Sequence, residues 1–166
     1  MNDPYQLLID VLRAAGARYR LIHHRPAGQT TDASAARGHA LRLAAKCLVV
    51  RVSTGKRTRR YVLAVVPGDR LLDLDRVRDL ACGSHAAFAR QDIAEDLTGT
   101  VSGTIMPFAF RPGLELIVDP ALLESEEMFF NAARLDRSVA LTTTDYVKLA
   151  CPRIERIAQE LTTQAG

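Results

Sequence analysis

The segment Gly99-Thr-Val-Ser-Gly103-Thr-Ile-Met-Pro107-Phe-Ala-Phe110 constrains this chain more than any other stretch. Two glycines stand four residues apart, a proline follows four later, and no charged residue interrupts the run. Glycine permits positive φ and lets backbone N–H groups approach a ligand closely, while proline stiffens the far side of the turn. Such a loop offers amide donors to a carbonyl oxygen or phosphate without a side-chain nucleophile. A tight hairpin or bulge between two core strands fits the same pattern, and both readings stand at this point.

At 166 residues the chain suits one domain spanning 1–166, large enough to bury roughly 70% of its unfolded surface. The mix of 48% hydrophobic and 25% charged residues places it with soluble globular proteins. A net charge of +3 permits contact with a polyanion without demanding it. No apolar run reaches the ~20 residues of a membrane span, and the opening MNDPYQLLIDVLRAAG is amphipathic rather than a basic stretch before an apolar one. No signal peptide is expected. Cys47, Cys82 and Cys151 have no CxxC spacing, so neither a disulfide framework nor a zinc site is read. The expectation is three reduced, mostly buried thiols in a cytoplasmic protein.

Along the chain, Leu7, Leu8, Val11 and Leu12 mark a helix over 4–16, closed by Gly16. Tyr19–His23 alternates as a short strand, and His23, His24 and Pro26 open a loop. Thr31 is placed as the N-cap of an alanine-rich helix ended by Gly38, with a second helical piece over His39–Ala45. Lys46–Val52 and Tyr61–Val66 read as strands of a hairpin whose turn carries Lys56, Arg57, Arg59 and Arg60. That basic cluster is either a solvated loop or a contact for nucleic-acid phosphates. Leu72–Leu80 and Gln91–Leu97 read as helices, and His85–Phe88 and Leu114–Val118 as strands. Met128–Phe130 and Ser138–Leu141 form a strand pair; helices follow over Asp145–Leu149 and Ile154–Leu161. The fold class is α+β, one domain, with a mixed, mostly antiparallel, barrel-like sheet covered by helices.

Several pieces stand in one order: Thr31-Asp-Ala-Ser-Ala-Ala, the Lys46 of AAKCLVVRV, YVLAVVPGDRLLDL, LTGTVSGTIMPFAF, and LIVDPALL before a strand pair. This set resembles the YbaK-like aminoacyl-tRNA editing domains, relatives of the editing insertion of bacterial prolyl-tRNA synthetases, over about residues 20–150. The resemblance implies hydrolysis, in trans and without cofactor or metal, of a mischarged aminoacyl-tRNA. The implied substrate is a proline tRNA carrying alanine, serine, cysteine or a residue of similar size. The implied partner is the 3′ acceptor end, with a synthetase as a further one. The family's lysine falls on Lys46, at the 3′-terminal phosphate or ribose. Its GxxxP loop falls on Gly103–Pro107, with Thr104 and Gly99 beside it, at the aminoacyl carbonyl and terminal adenosine. A polar position, His or Ser in relatives, falls on Asn131, which joins Lys46 and Gly103 in the candidate catalytic set. Thr31 and Ser138 are further candidates to touch substrate, and Asp119 is expected to tie down its turn. The chain departs from the pattern at Ala132-Ala133, where relatives often carry glycine, a change expected to narrow the pocket or alter strand pairing.

The chemistry needs little more than these residues. An aminoacyl ester is already activated, so a positioned water, helped by the tRNA ribose hydroxyl, suffices in place of an enzymatic nucleophile. Backbone donors at Gly103–Thr104 would stabilise the oxyanion, a contact worth about 3 kcal/mol per donor in other hydrolases. No Ser-His-Asp order or HExxH stands in the sequence. Two other readings remain: a non-catalytic module that holds tRNA or protein through the basic hairpin, and an esterase acting on free aminoacyl esters.

Overall fold

Two antiparallel hairpins build the architecture, and both follow from runs of β-branched and aromatic residues. In the computed structural model, which describes residues 3–161, the first hairpin joins β2 (Ala45–Ser53) to β3 (Arg59–Pro67), in register from Ala45 opposite Pro67 to Ser53 opposite Arg59. Both strands are nearly unbroken apolar runs because both of their faces are covered. Val49, Leu63 and Val65 face a core with Phe108, Phe130, Leu141 and Tyr146, whereas Val50, Val52, Val62 and Val66 face a second core with Val77, Ala81 and Ile157. The second hairpin joins β6 (Glu127–Asn131) to β7 (Arg137–Thr142) and sets Asn131 opposite Ser138.

Around these, β4 (His85–Phe88), β2, β3, β5 (Leu114–Val118) and β8 (Arg153–Ile154) form a five-stranded mixed sheet in that order. The β3–β5 and β5–β8 pairs are parallel. A three-stranded antiparallel sheet runs β1 (Tyr19–His23), β7, β6. Helices α1 (Pro4–Ala14), α2 (Thr30–Arg37), α3 (Leu74–Leu80), α4 (Gln91–Thr98) and α5 (Thr143–Ala150) complete the described chain. None of them is long and apolar enough to cross a membrane. The α+β class and the mixed sheet hold. The two sheets meet through an isolated bridge, Ala44 to Phe129, and stay open-edged rather than closing into a barrel.

Four expectations change. The helix expected over Ile154–Leu161 is extended chain, because the buried Asp119 carboxylate captures the Ile157 and Ala158 N–H groups at 2.9 and 2.8 Å. Its other oxygen accepts from Ala121 N–H at 2.8 Å, so Asp119 ties its own turn and the C-terminal strap together. The piece at His39–Ala45 shrinks to one 3₁₀ turn, Leu41–Leu43, since Ala45 already belongs to β2. Helix α2 starts two residues early with Gln29 as N-cap and no side-chain cap, leaving Thr31 exposed in its first turn. Finally, Cys82 and Cys151 are exposed; only Cys47 is partly covered.

Candidate active site

The Gly99–Phe110 loop connects α4 to β5 and is not a hairpin between core strands. Its two glycines have separate tasks. Gly99 ends α4 at φ +72, and a Cβ there would lie 2.7 Å from the Arg111 guanidinium, so this glycine seats an arginine and does not face a ligand. Gly103, at φ +87, runs against Gly28 of the β1–α2 loop; a Cβ on it would sit 2.9 Å from the Gly28 Cα. Two bare backbones therefore touch where side chains would hold them apart.

Asn131, at the end of β6, locks this crossing. Its Nδ2 donates to the Ala27 carbonyl at 2.8 Å and to the Gly103 carbonyl at 2.9 Å. Its Oδ1 accepts from Ser138 Oγ at 2.9 Å and from Arg37 Nη1 at 3.2 Å. Both amide hydrogens and both lone pairs are occupied. Asn131 is a clamp between loops, with nothing left for a water or substrate, and the catalytic place expected for it gives way to a positioning one.

The crossing forms one wall of a cleft of about 310 Å³, lined by Gly28, Gln29, Thr30, Arg37, Lys46 and Asn131 on its polar side. Ala33, Leu48, Ile105 and Phe130 supply apolar surface. Lys46 reaches it from the start of β2, with its ammonium donating to the Arg70 carbonyl; burial lowers its pKa, opposed by the Asp69 charge. Cys47, beside it, has its thiol pushed up by burial, the opposite of an activated cysteine. At the start of α2 the Thr30, Thr31 and Asp32 N–H groups precede the first intrahelical bond, and Gln29 offers no side-chain acceptor to them. The Gly103 N–H likewise has no acceptor among the described residues.

Arg37 is the residue that sequence reasoning missed. Its Nε donates to His39 Nε2 at 2.9 Å and its Nη1 to Ser138 and Asn131, all neutral acceptors. Among the described residues no carboxylate pairs with it, and burial brings its pKa down to about 10. His39 is fixed for this role: its ring stacks on Phe129 at 3.9 Å and its Nδ1 donates to the Ala40 carbonyl, leaving Nε2 to accept. Burial, with Arg37 beside it, lowers the His39 pKa and keeps that lone pair available. The signal in the sequence was an arginine in the last turn of a small-residue helix, followed by Gly38-His39.

Of the other expected residues, Thr104 is buried and spends both its N–H and its hydroxyl on the Val101 carbonyl, at 3.0 and 2.7 Å. It donates nothing to the cleft. Pro107 holds the core by accepting from the Tyr146 hydroxyl at 2.6 Å. Ser138, fully buried, stands behind Asn131 with His24 Nε2 at 2.7 Å, and Thr31 is replaced at the cleft by its neighbour Thr30. Lys46 and Gly103 line the cleft as expected; Gly99, Thr104, Pro107, Ser138 and Thr31 do not.

With two cations, two glycines and the first residue of α2 in its lining, the cleft is suited to an anionic ligand. The sequence comparisons agree. The chain belongs to the aminoacyl-tRNA editing domain family, whose model matches residues 24–149. Members of that class hydrolyse the ester linking an amino acid to tRNA. The chain is 39% identical over 151 residues, 90% of either chain, to the multifunctional Ser/Thr-tRNA deacylase ProXp-y of Escherichia coli K12. The fold is shared with the hypothetical protein APE2540, at TM-score 0.81 and 23% identity over 92% of this chain and 99% of that one. It is also shared with a structure described as a candidate trans-editing enzyme for prolyl tRNA synthetase, at TM-score 0.78 and 18% identity over 96% and 99%.

Proposed function

We propose that this protein deacylates tRNA carrying a small hydroxylated amino acid, serine or threonine, and that the cleft under the Gly28–Gly103 crossing is where the ester is held. The observation that carries this reading is the placement of Lys46, the α2 N-terminus and the Gly103 amide around one small cavity. Serine and threonine enter through the relative's activity, and the modest apolar wall suits a short side chain.

In this reading Lys46 receives the 3′-terminal phosphate or ribose, exchanging its Arg70 carbonyl for a charged partner. The Gly103 N–H, whose neighbour at Thr104 is already committed, meets the ester carbonyl oxygen and the charge that develops on it. Water, oriented by the adjacent ribose hydroxyl, adds to the ester carbon. The bond to the ribose oxygen then breaks, that oxygen takes the water's proton, and free amino acid and tRNA leave. Arg37 and Asn131 hold the walls in place so that this geometry exists before the substrate arrives.

The test is a panel of Ser-, Thr-, Ala- and Cys-tRNA, each amino acid charged on a proline tRNA and on its own tRNA, with wild type and Lys46→Ala. Serine and threonine esters should be cleaved fastest, and Lys46→Ala should lower kcat/KM at least a hundredfold, about 2.7 kcal/mol of transition-state stabilisation. A wild type that binds tRNA yet leaves every ester intact would show a binding module instead.

A further inference from the structure

From Lys46 to Gly68 the chain contains no aspartate or glutamate but six cations, and all six lie on the β2–β3 hairpin. Lys46 stands at the cleft end. Arg51, Lys56, Arg57, Arg59 and Arg60 gather at the other end, all exposed, and none of their side chains forms an ion pair or hydrogen bond among the described residues. Six arginines elsewhere, Arg18, Arg20, Arg78, Arg90, Arg134 and Arg153, each pair with a carboxylate. The hairpin is stiff, because its strands pair along their full length and carry core residues on both faces.

The spacing between the two ends identifies the partner. Seven residues separate Lys46 from Ser53 along β2, roughly 24 Å at about 3.4 Å per residue. A nucleic-acid strand rises roughly 3.4 Å per nucleotide, so the same length is roughly seven nucleotides of backbone. Measured from an aminoacyl end at Lys46, that passes the unpaired 3′ terminus and reaches the first base pairs of the stem. We propose that the basic end of the β2–β3 hairpin is the docking surface for the acceptor-stem duplex of the tRNA whose aminoacyl end lies in the cleft. The proposal rests on the deacylase reading for the position of that end. Exposed arginines on a β-turn reach phosphates without reading bases, so the recognition is of backbone and not of sequence.

Two substrates separate this contact from the chemistry: an acceptor-stem minihelix and a short single-stranded CCA oligonucleotide, both seryl-charged. The triple variant R57A/R59A/R60A should raise KM for the minihelix at least tenfold at low salt and leave kinetics on the oligonucleotide unchanged. For uncharged minihelix, the slope of log binding constant against log salt should flatten by about two. Equal loss on both substrates, or no loss on the minihelix, overturns the proposal. If wild type cleaves neither substrate, the deacylase reading fails by itself. The salt slope on uncharged minihelix then decides the docking surface, with an unchanged slope in the variant overturning it.

Discussion

At Ala133 a methyl group occupies left-handed backbone, φ +59, just past the end of β6. This is one of the two alanines at positions where the family resemblance implied glycine, and the chain keeps left-handed geometry there at the expense of strain. A left-handed L-residue costs about 1–2 kcal/mol, whereas glycine loosens the unfolded chain by about 0.4–1 kcal/mol. The first effect is larger, so Ala133→Gly should stabilise the protein by about 0.5–1 kcal/mol, read as a raised midpoint of chemical unfolding. Residue chemistry was legible at two of the expected positions, one a bare backbone and one a cation, and not at Gly99 of the same loop. Gly103 and Lys46 line the cleft as their sequence context implied. Thr104 and Ser138 were misplaced because one residue's shift along a loop, or one strand's alternation, turns a side chain from cavity to core. Arg37 was invisible for a further reason: its meaning lies in the absence of a carboxylate, and only the folded chain shows which residues are near.

Among the elements, α5 shows how a short helix is fastened. Thr142 accepts from Asp145 N–H at its start, and the Asp145 carboxylate accepts from the Arg18 N–H and guanidinium and from the Thr142 hydroxyl. The Arg18 backbone bond is the main reason that its pKa falls from 3.8 to about 2. A depressed folded pKa gives stability that is complete above the unfolded value and fades as pH falls through the folded one. Asp145→Asn should therefore melt earlier than wild type at neutral pH, and the gap should close between about pH 4 and pH 2. Thermal melts across that range check it. Thr142 and Asp145 stand three residues apart, the spacing that a side-chain cap needs. The C-terminal strap was not readable: Ile154, Ile157, Ala158 and Leu161 keep helical spacing, but the acceptor that straightens them, Asp119, comes from another part of the chain.

For the whole molecule, Asp119 does the joining that no single element can. One carboxylate fixes the 3₁₀ turn Pro120–Glu124 after β5 and the strap that closes the second core through Ile157. Asp119→Ala leaves three N–H groups without that acceptor and should cost about 3–5 kcal/mol, seen as a lower unfolding midpoint in denaturant with proteolysis beginning in residues 152–161. The three-stranded sheet carries a different implication, one of time. Among the described residues strand β1 pairs only with β7, and the Asn131 clamp joins Ala27 to a side chain 104 residues later. On a ribosome the two strands of the β2–β3 hairpin, with its basic end, can pair with each other soon after Pro67 emerges, ahead of β4 and β5 on their outer edges. The cleft must wait until β6 and β7 are made. The part of the molecule that meets the stem is thus ready well before the part that cuts the ester, and a chain stopped short of β7 would grip RNA without being able to act on it.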